Sequence, residues 1–167
     1  MADLTVERAR ECFHYNPVTG LVVWKIRLAN KVRPGDRAGT PDGRQGRFFV
    51  GVDGKHYLLH RVIWLLVYGS FPANTVDHID GDPSNNKLTN LRAATSSEQM
   101  KNLKRCRRNK SGCCGVSWDK VKGRWVSQIS SGGRAYNLGR YKEYFDAVCA
   151  RKAAEYKHGF HRNHGRI

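Results

Sequence analysis

At 167 residues the chain is long enough for one ordinary domain or two small ones with thin cores. A formal net charge of +16 and a pI near 10.1 point to a polyanion or an anionic membrane surface as partner. No apolar run reaches the length of a membrane span and no apolar signal stretch opens the sequence, so no membrane partner and a soluble, cytoplasmic protein are expected. The charge is unevenly spread: residues 1–100 hold 13 Lys and Arg against 10 Asp and Glu, and residues 101–167 hold 17 against 4. The grip on a polyanion is therefore expected in the last third of the chain. Five cysteines, Cys12, Cys106, Cys113, Cys114 and Cys149, are odd in number and include no C-x2–4-C pair, so reduced thiols and no structural zinc are expected.

In chain order, residues 4–13 place Leu4, Val6, Ala9, Cys12 and Phe13 at the spacing of a short amphipathic helix. Asn16-Pro17-Val18-Thr19-Gly20 makes a turn, residues 21–24 read as a strand, and residues 30–45 as a polar loop. Residues 47–52 and 56–59 form a hairpin around Asp53-Gly54. Residues 61–68 are a helix too apolar for one face alone to be buried, hence a core helix, with His60 at its start.

From residue 76 to 102 the chemistry concentrates. Thr75-Val76 is β-prone and delivers Asp77 and His78 at a strand end; Gly81 to Asn86 is a cluster of turn formers; residues 88–94 are a short apolar-bearing segment; and Thr95-Ser96-Ser97-Glu98 matches a capping box that opens a helix. Gln99 and Asn102 share one face of that helix. A carboxylate and an amide oxygen suit a hard divalent cation, and a neutral imidazole beside them suits removal of a proton from water. Taken singly, such a His is usually structural and such a turn usually solvated; the combination in one compact run points to phosphodiester hydrolysis.

Residues 101–110 carry six positive charges and no acid, a basic stretch suited to tracking phosphates. Three short antiparallel strands follow at residues 115–120, 124–130 and 134–141, separated by Lys122-Gly123 and Gly132-Gly133. Residues 143–158 then read as a helix whose Phe145, Val148, Cys149, Lys152 and Tyr156 form a stripe covering one sheet face.

Asp77-His78-Ile79-Asp80-Gly81-Asp82, Asn85-Asn86 and Asn90-Leu91-Arg92, preceded by His60-Arg61-Val62-Ile63-Trp64, resemble the HNH homing endonucleases of phages and mobile introns. The Asn-Pro-x-Thr-Gly start recurs in the same family, so the front of the chain is read as part of one catalytic domain. The resemblance implies a ββα-metal fold, His78 as general base, Asp77 as a metal ligand and Asn90 as the residue that braces the loop and orients the His. The family's helix position, usually Asn, here holds Gln99, so Gln99 or Asn102 completes the site. For His60 a packing or phosphate-contact role is favoured over catalysis. Gly-Val-Ser-Trp-Asp, Arg-Trp, Leu-Gly-Arg-Tyr and the Ala-rich helix resemble the DNA-binding domain of the Apetala/ethylene-response-factor family, whose sheet enters the major groove.

The expected architecture is α+β. A nuclease domain at 1–104, with its core at about 75–104, precedes a basic linker at 105–112, a sheet-and-helix DNA-binding domain at 113–160 and a basic tail at 161–167. Expected DNA-contacting residues are Lys104, Arg105, Arg107, Arg108 and Lys110 in the basic stretch, with Trp118, Lys120, Arg124, Trp125, Gln128, Arg134 and Tyr136 on the sheet. Strand alternation turns some of the latter into the core, Trp125 first among them. The expected activity is Mg2+- or Mn2+-dependent, site-specific nicking of double-stranded DNA by a monomer, in a setting such as a phage-infected cell. The rivals are a DNA-binding regulator that has lost catalysis through Gln99 and a non-specific defence or toxin nuclease.

Overall fold

The computed structural model describes residues 3–29, 32–43 and 46–166. Parts of the expected 30–45 loop (Asn30, Lys31, Arg44, Gln45), the first two residues and Ile167 lie outside them. The chain is α+β and divides into two compact units, Met1–Ala94 and Thr95–Ile167. The division falls ten residues before the expected boundary, so the helix after Thr95 belongs to the second unit. Among the described residues no helix is long and apolar enough to cross a membrane.

In the first unit, α1 (Val6–Cys12) starts at Thr5, whose hydroxyl accepts from the Arg8 N–H, and its buried Ala9 and Cys12 turn toward α2 (Leu59–Tyr68). Strands β1 (Phe13–Tyr15) and β2 (Val22–Trp24) pair antiparallel around the Asn16–Gly20 turn, with the Phe13 and Trp24 rings 4.6 Å apart. A second sheet joins β3 (Thr40–Pro41), β4 (Phe48–Val52) and β5 (Lys55–Leu58). Its hairpin turns at Asp53 (φ 50°) and Gly54 (φ 77°), the left-handed pair that a two-residue connection with this twist requires.

Helix α2 is the core helix its composition demands. Val62 and Ile63 have no exposed surface, Leu59 and Leu65 are buried, Arg61, Trp64 and Leu66 are half-buried, and Val67 and Tyr68 in the last turn are exposed. The helix stops at Gly69 in the left-handed region (φ 79°), whose N–H donates to the Leu65 carbonyl. Against α2 lies the short ribbon of β6 (Thr75–His78) and β7 (Leu91–Ala94), in which His78 faces Leu91 and Asp77 faces Arg92. Residues 88–90 form a single 3-10 turn before β7.

The second unit opens with α3 (Ser96–Met100), whose capping box is complete: Thr95 accepts from the Glu98 N–H, and the Glu98 carboxylate accepts from the Thr95 N–H. Strands β8 (Val116–Asp119), β9 (Arg124–Ser131) and β10 (Arg134–Tyr141) make one antiparallel sheet, with a bulge between Asn137 and Gly139, and α4 (Tyr144–Lys157) packs on one face.

One expectation fails here. The expected apolar stripe of α4 does not cover the sheet: Phe145 is 73% exposed, Tyr156 91%, and Cys149 and Lys152 also face solvent, while Val148 alone is partly buried. The helix turns inward through Ala147, Arg151, Ala154 and Glu155, because small alanines and a closed ion pair fit this thin core where large side chains do not. Arg151 Nε donates to Glu155 at 2.9 Å and its Nη1 to the Gln128 carbonyl at 2.6 Å. Gly115, at φ 73°, sits against that same carbonyl and guanidinium, where a Cβ would collide with both. The start of the basic stretch is tied to the tail. The Lys101, Leu103 and Arg166 carbonyls accept from the His161, Gly165 and Arg105 N–H groups, so the two segments pair backbone to backbone.

Candidate nuclease site

The loop from His78 to Asn90 is held by side-chain amides. Asn90, 9% exposed, accepts from the Asp80 N–H at 3.0 Å and donates through Nδ2 to Asp80 Oδ1 at 2.9 Å and to the Asn85 carbonyl at 2.8 Å. Asp80 also accepts from the Asp82 N–H and from Asn85 Nδ2 at 2.6 Å. Burial pushes the Asp80 carboxyl up, but the donors from Asp82, Asn90 and Asn85 outweigh it and hold the group below its ordinary value. The charged carboxylate is thus the staple around which the loop closes.

His78 is buried at the end of β6, and its ring is constrained from two sides. Its Nε2 lies 3.1 Å from Asn86 Oδ1, and the His60 ring packs edge-on against it with centroids 5.1 Å apart. His60 is itself buried, and that burial, with His78 and the charges of Arg47 and Arg61 nearby, pushes its pKa down to about 3. At neutral pH His60 is an uncharged packing partner. Asp77 precedes His78 and accepts from Arg92 Nη2 at 3.1 Å across the ribbon.

Three of the expected site residues, Asp77, His78 and Asn90, lie on the β6–β7 ribbon and its loop. Asn90 does its work on Asp80 and Asn85; the amide that touches the imidazole is Asn86, which sequence reasoning left among the turn formers. The adjacent Asn85-Asn86 pair was the available signal, because two amides in one turn exceed what a solvated turn requires. In the second unit the Asn102 amide oxygen accepts from Arg166 Nη1 at 3.1 Å and the side chain is buried. Among the described residues no three His, Cys, Asp or Glu side chains gather as a metal site, so the carboxylate would be supplemented by an amide, waters or phosphate oxygens.

On the sheet, register and alternation divide the expected DNA-contacting residues. Trp118, Trp125, Arg134 and Tyr136 point to the α4 side. Trp125 packs against the core there, its ring 4.8 Å from Tyr144, and Tyr136 lies 4.9 Å from His158. Trp125 is therefore a core residue. Arg124 and Gln128 point to the open face, joined by Ser130, Asn137 and Arg140, which the sequence reading did not single out. Lys120 is exposed in the β8–β9 turn, and Lys104, Arg107, Arg108 and Lys110 are exposed in the basic stretch, where Arg105 is half-buried.

Residues 57–101 match the family described as HNH endonuclease. Protein 3.8 of Escherichia phage T7 is 37% identical over 80 residues, covering 47% of this chain and 66% of that protein, just under two thirds of its length. A structure of the HNH homing endonuclease I-HmuI, titled for DNA binding and cleavage, aligns over 82% of this chain and 77% of its own at 20% identity and a TM-score of 0.42. The segment that matches the HNH endonuclease family carries Asp77, His78, Asn90 and Gln99.

Proposed function

We propose that the chain is a divalent-metal-dependent endonuclease that nicks duplex DNA at a preferred site. The observation that carries this is the buried imidazole of His78, fixed by Asn86 and His60 one residue after Asp77, where β6 runs into a loop held by Asn90. His78 takes the proton from the attacking water as the water's oxygen bonds to phosphorus, and the 3′ oxygen leaves. Asp77, with an amide, waters or phosphate oxygens in the remaining positions, would hold a hard cation such as Mg2+ or Mn2+, which when bound neutralises charge on the phosphate and the leaving oxygen. Arg92 holds the Asp77 carboxylate in place. His60, neutral and packed on the imidazole, keeps that ring from rotating.

Affinity and register come from the second unit: the basic stretch contacts phosphates, and the open sheet face with Arg124, Gln128, Asn137 and Arg140 lies on the duplex, as the likeness to Apetala-type domains suggested. One HNH segment supplies one base, so a monomer cuts one strand per event.

Supercoiled plasmid carrying a target site, incubated with the protein and Mg2+, should turn to open circle before linear product appears. Plasmid left intact would support a non-catalytic regulator, and general degradation a non-specific nuclease. Linear product without an open-circle precursor, at a rate second order in protein, would overturn the monomer.

A further inference from the structure

The Asn86 side chain has an orientation that the chain itself decides. Its Nδ2 points to the Ser84 carbonyl at 3.4 Å, a partner that only the amide nitrogen can serve, so the amide oxygen is the atom 3.1 Å from His78 Nε2. An oxygen acceptor there requires Nε2 to carry the ring proton, and a neutral ring protonated on Nε2 has its lone pair on Nδ1.

Asn86, 4% exposed, is in turn held by a part of the chain outside the HNH segment. The Tyr15 hydroxyl donates to the Asn86 carbonyl at 2.9 Å, and the Leu88 N–H donates to the Pro17 carbonyl at 3.1 Å. Gly20, in the left-handed region at φ 76°, lies so close to the 86–87 peptide that a Cβ would stand 2.6 Å from the Lys87 nitrogen and 2.7 Å from the Asn86 carbonyl carbon. Only glycine both adopts that backbone and permits that approach.

From this geometry we infer that Asn86, clamped by Tyr15 and the 16–20 turn, is the positioning residue that fixes His78 as the Nε2–H tautomer and makes Nδ1 the base. This rests on the reading of His78 as the base. It makes the front of the chain part of the active site's support and explains why the Asn-Pro-x-Thr-Gly turn sits where it does: the turn supplies the backbone surface against which the buried amide is set. A free imidazole would sample both tautomers and swing about its χ angles; a ring whose Nε2 is committed to a buried amide holds one tautomer in one orientation.

The test is the ring nitrogen spectrum of 15N-histidine-labelled full-length protein, without metal or DNA, at a pH where the ring is neutral. Wild type should show His78 as the Nε2–H form. Asn86→Leu, of similar volume but with no acceptor, should show mixed tautomers and a kcat lower by ~10–100-fold at unchanged KM, the usual effect of losing an orienting partner. Asn86→Asp keeps an acceptor oxygen and should keep the tautomer. Tyr15→Phe removes one hydroxyl from the clamp and should lower kcat several-fold while DNA affinity holds. A wild-type ring protonated on Nδ1 overturns the inference whether or not Asn86→Leu folds, as does an Asn86→Leu ring that stays Nε2–H with full kcat. If His78→Ala cuts normally, the base assignment fails while the tautomer result stands, so the two failures are told apart.

Discussion

Both units bury polar groups, and they use them differently. In the first unit a full apolar core exists, built on Val62, Ile63, Leu59 and the Phe13–Trp24 pair, and the buried amides of Asn86 and Asn90 are additional to it, spent on one loop. In the second unit the buried apolar residues described are few, Cys113, Val116, Ile129, Ala147 and Ala154, and the buried Arg151–Glu155 pair sits among them. The lesson is that a buried hydrogen-bond network supports chemistry where the fold is already secure and supports the fold where the core is thin. The charge follows the same division: the unit with the site stays near neutral, and the unit with the exposed sheet face carries the positive excess.

That comparison can be broken most strongly at Glu155. Glu155→Ala leaves the buried guanidinium of Arg151 without its carboxylate, and losing one partner of a buried pair costs about 3–5 kcal/mol. Chemical denaturation should show the second unit's transition collapse toward zero denaturant while the first unit's transition stays. A Glu155→Ala protein as stable as wild type would mean the ion pair is incidental.

The first unit should instead be sensitive to acid through His60. The folded unit holds this ring neutral down to about pH 3, whereas in the unfolded chain it takes up a proton near its ordinary value of about 6.5. The unfolded state therefore binds more protons between those values, so stability present above pH 6.5 declines as pH falls toward 3, by up to a few kcal/mol. His60→Phe should flatten that slope; an unchanged slope in the variant would place the acid sensitivity elsewhere.

The smallest expected effect sharpens the division of charge. Arg124→Ala with Arg140→Ala removes two cations from the open sheet face, and the slope of log affinity against log salt should fall by roughly 2 if both contact phosphates. Cleavage at saturating protein should be unaltered. An unchanged slope would move the DNA contacts to the basic stretch around Lys104 and Arg107.

Much of this was legible in the sequence where local chemistry decides. The Asp53-Gly54 hairpin, the Thr95–Glu98 capping box, the all-round apolar α2 and the strand that ends in His78 each rest on residues within a turn or two of one another. Reading failed where tertiary packing decides. On α4, helical periodicity selected Phe145 and Tyr156, yet the thin core accepts Ala147 and Ala154, and a pattern of apolar residues cannot register a buried Arg–Glu pair as inward-facing. Asn86 looked like one more turn former because its partners, Tyr15 and Gly20, lie some 70 residues away. The pairing of residues 101–105 with 161–166 runs through backbone bonds and the Arg166–Asn102 contact, neither of which leaves a periodic trace in the sequence.

The most direct test of the account compares His78→Ala with wild type in two assays on the same DNA, equilibrium binding and single-turnover nicking with Mg2+. Removing the base should slow nicking by roughly 10²–10⁴-fold, the usual contribution of a general base, while affinity, which the proposal assigns to the second unit, is unchanged. Nicking at the wild-type rate, or a loss of binding equal to the loss of rate, would contradict it.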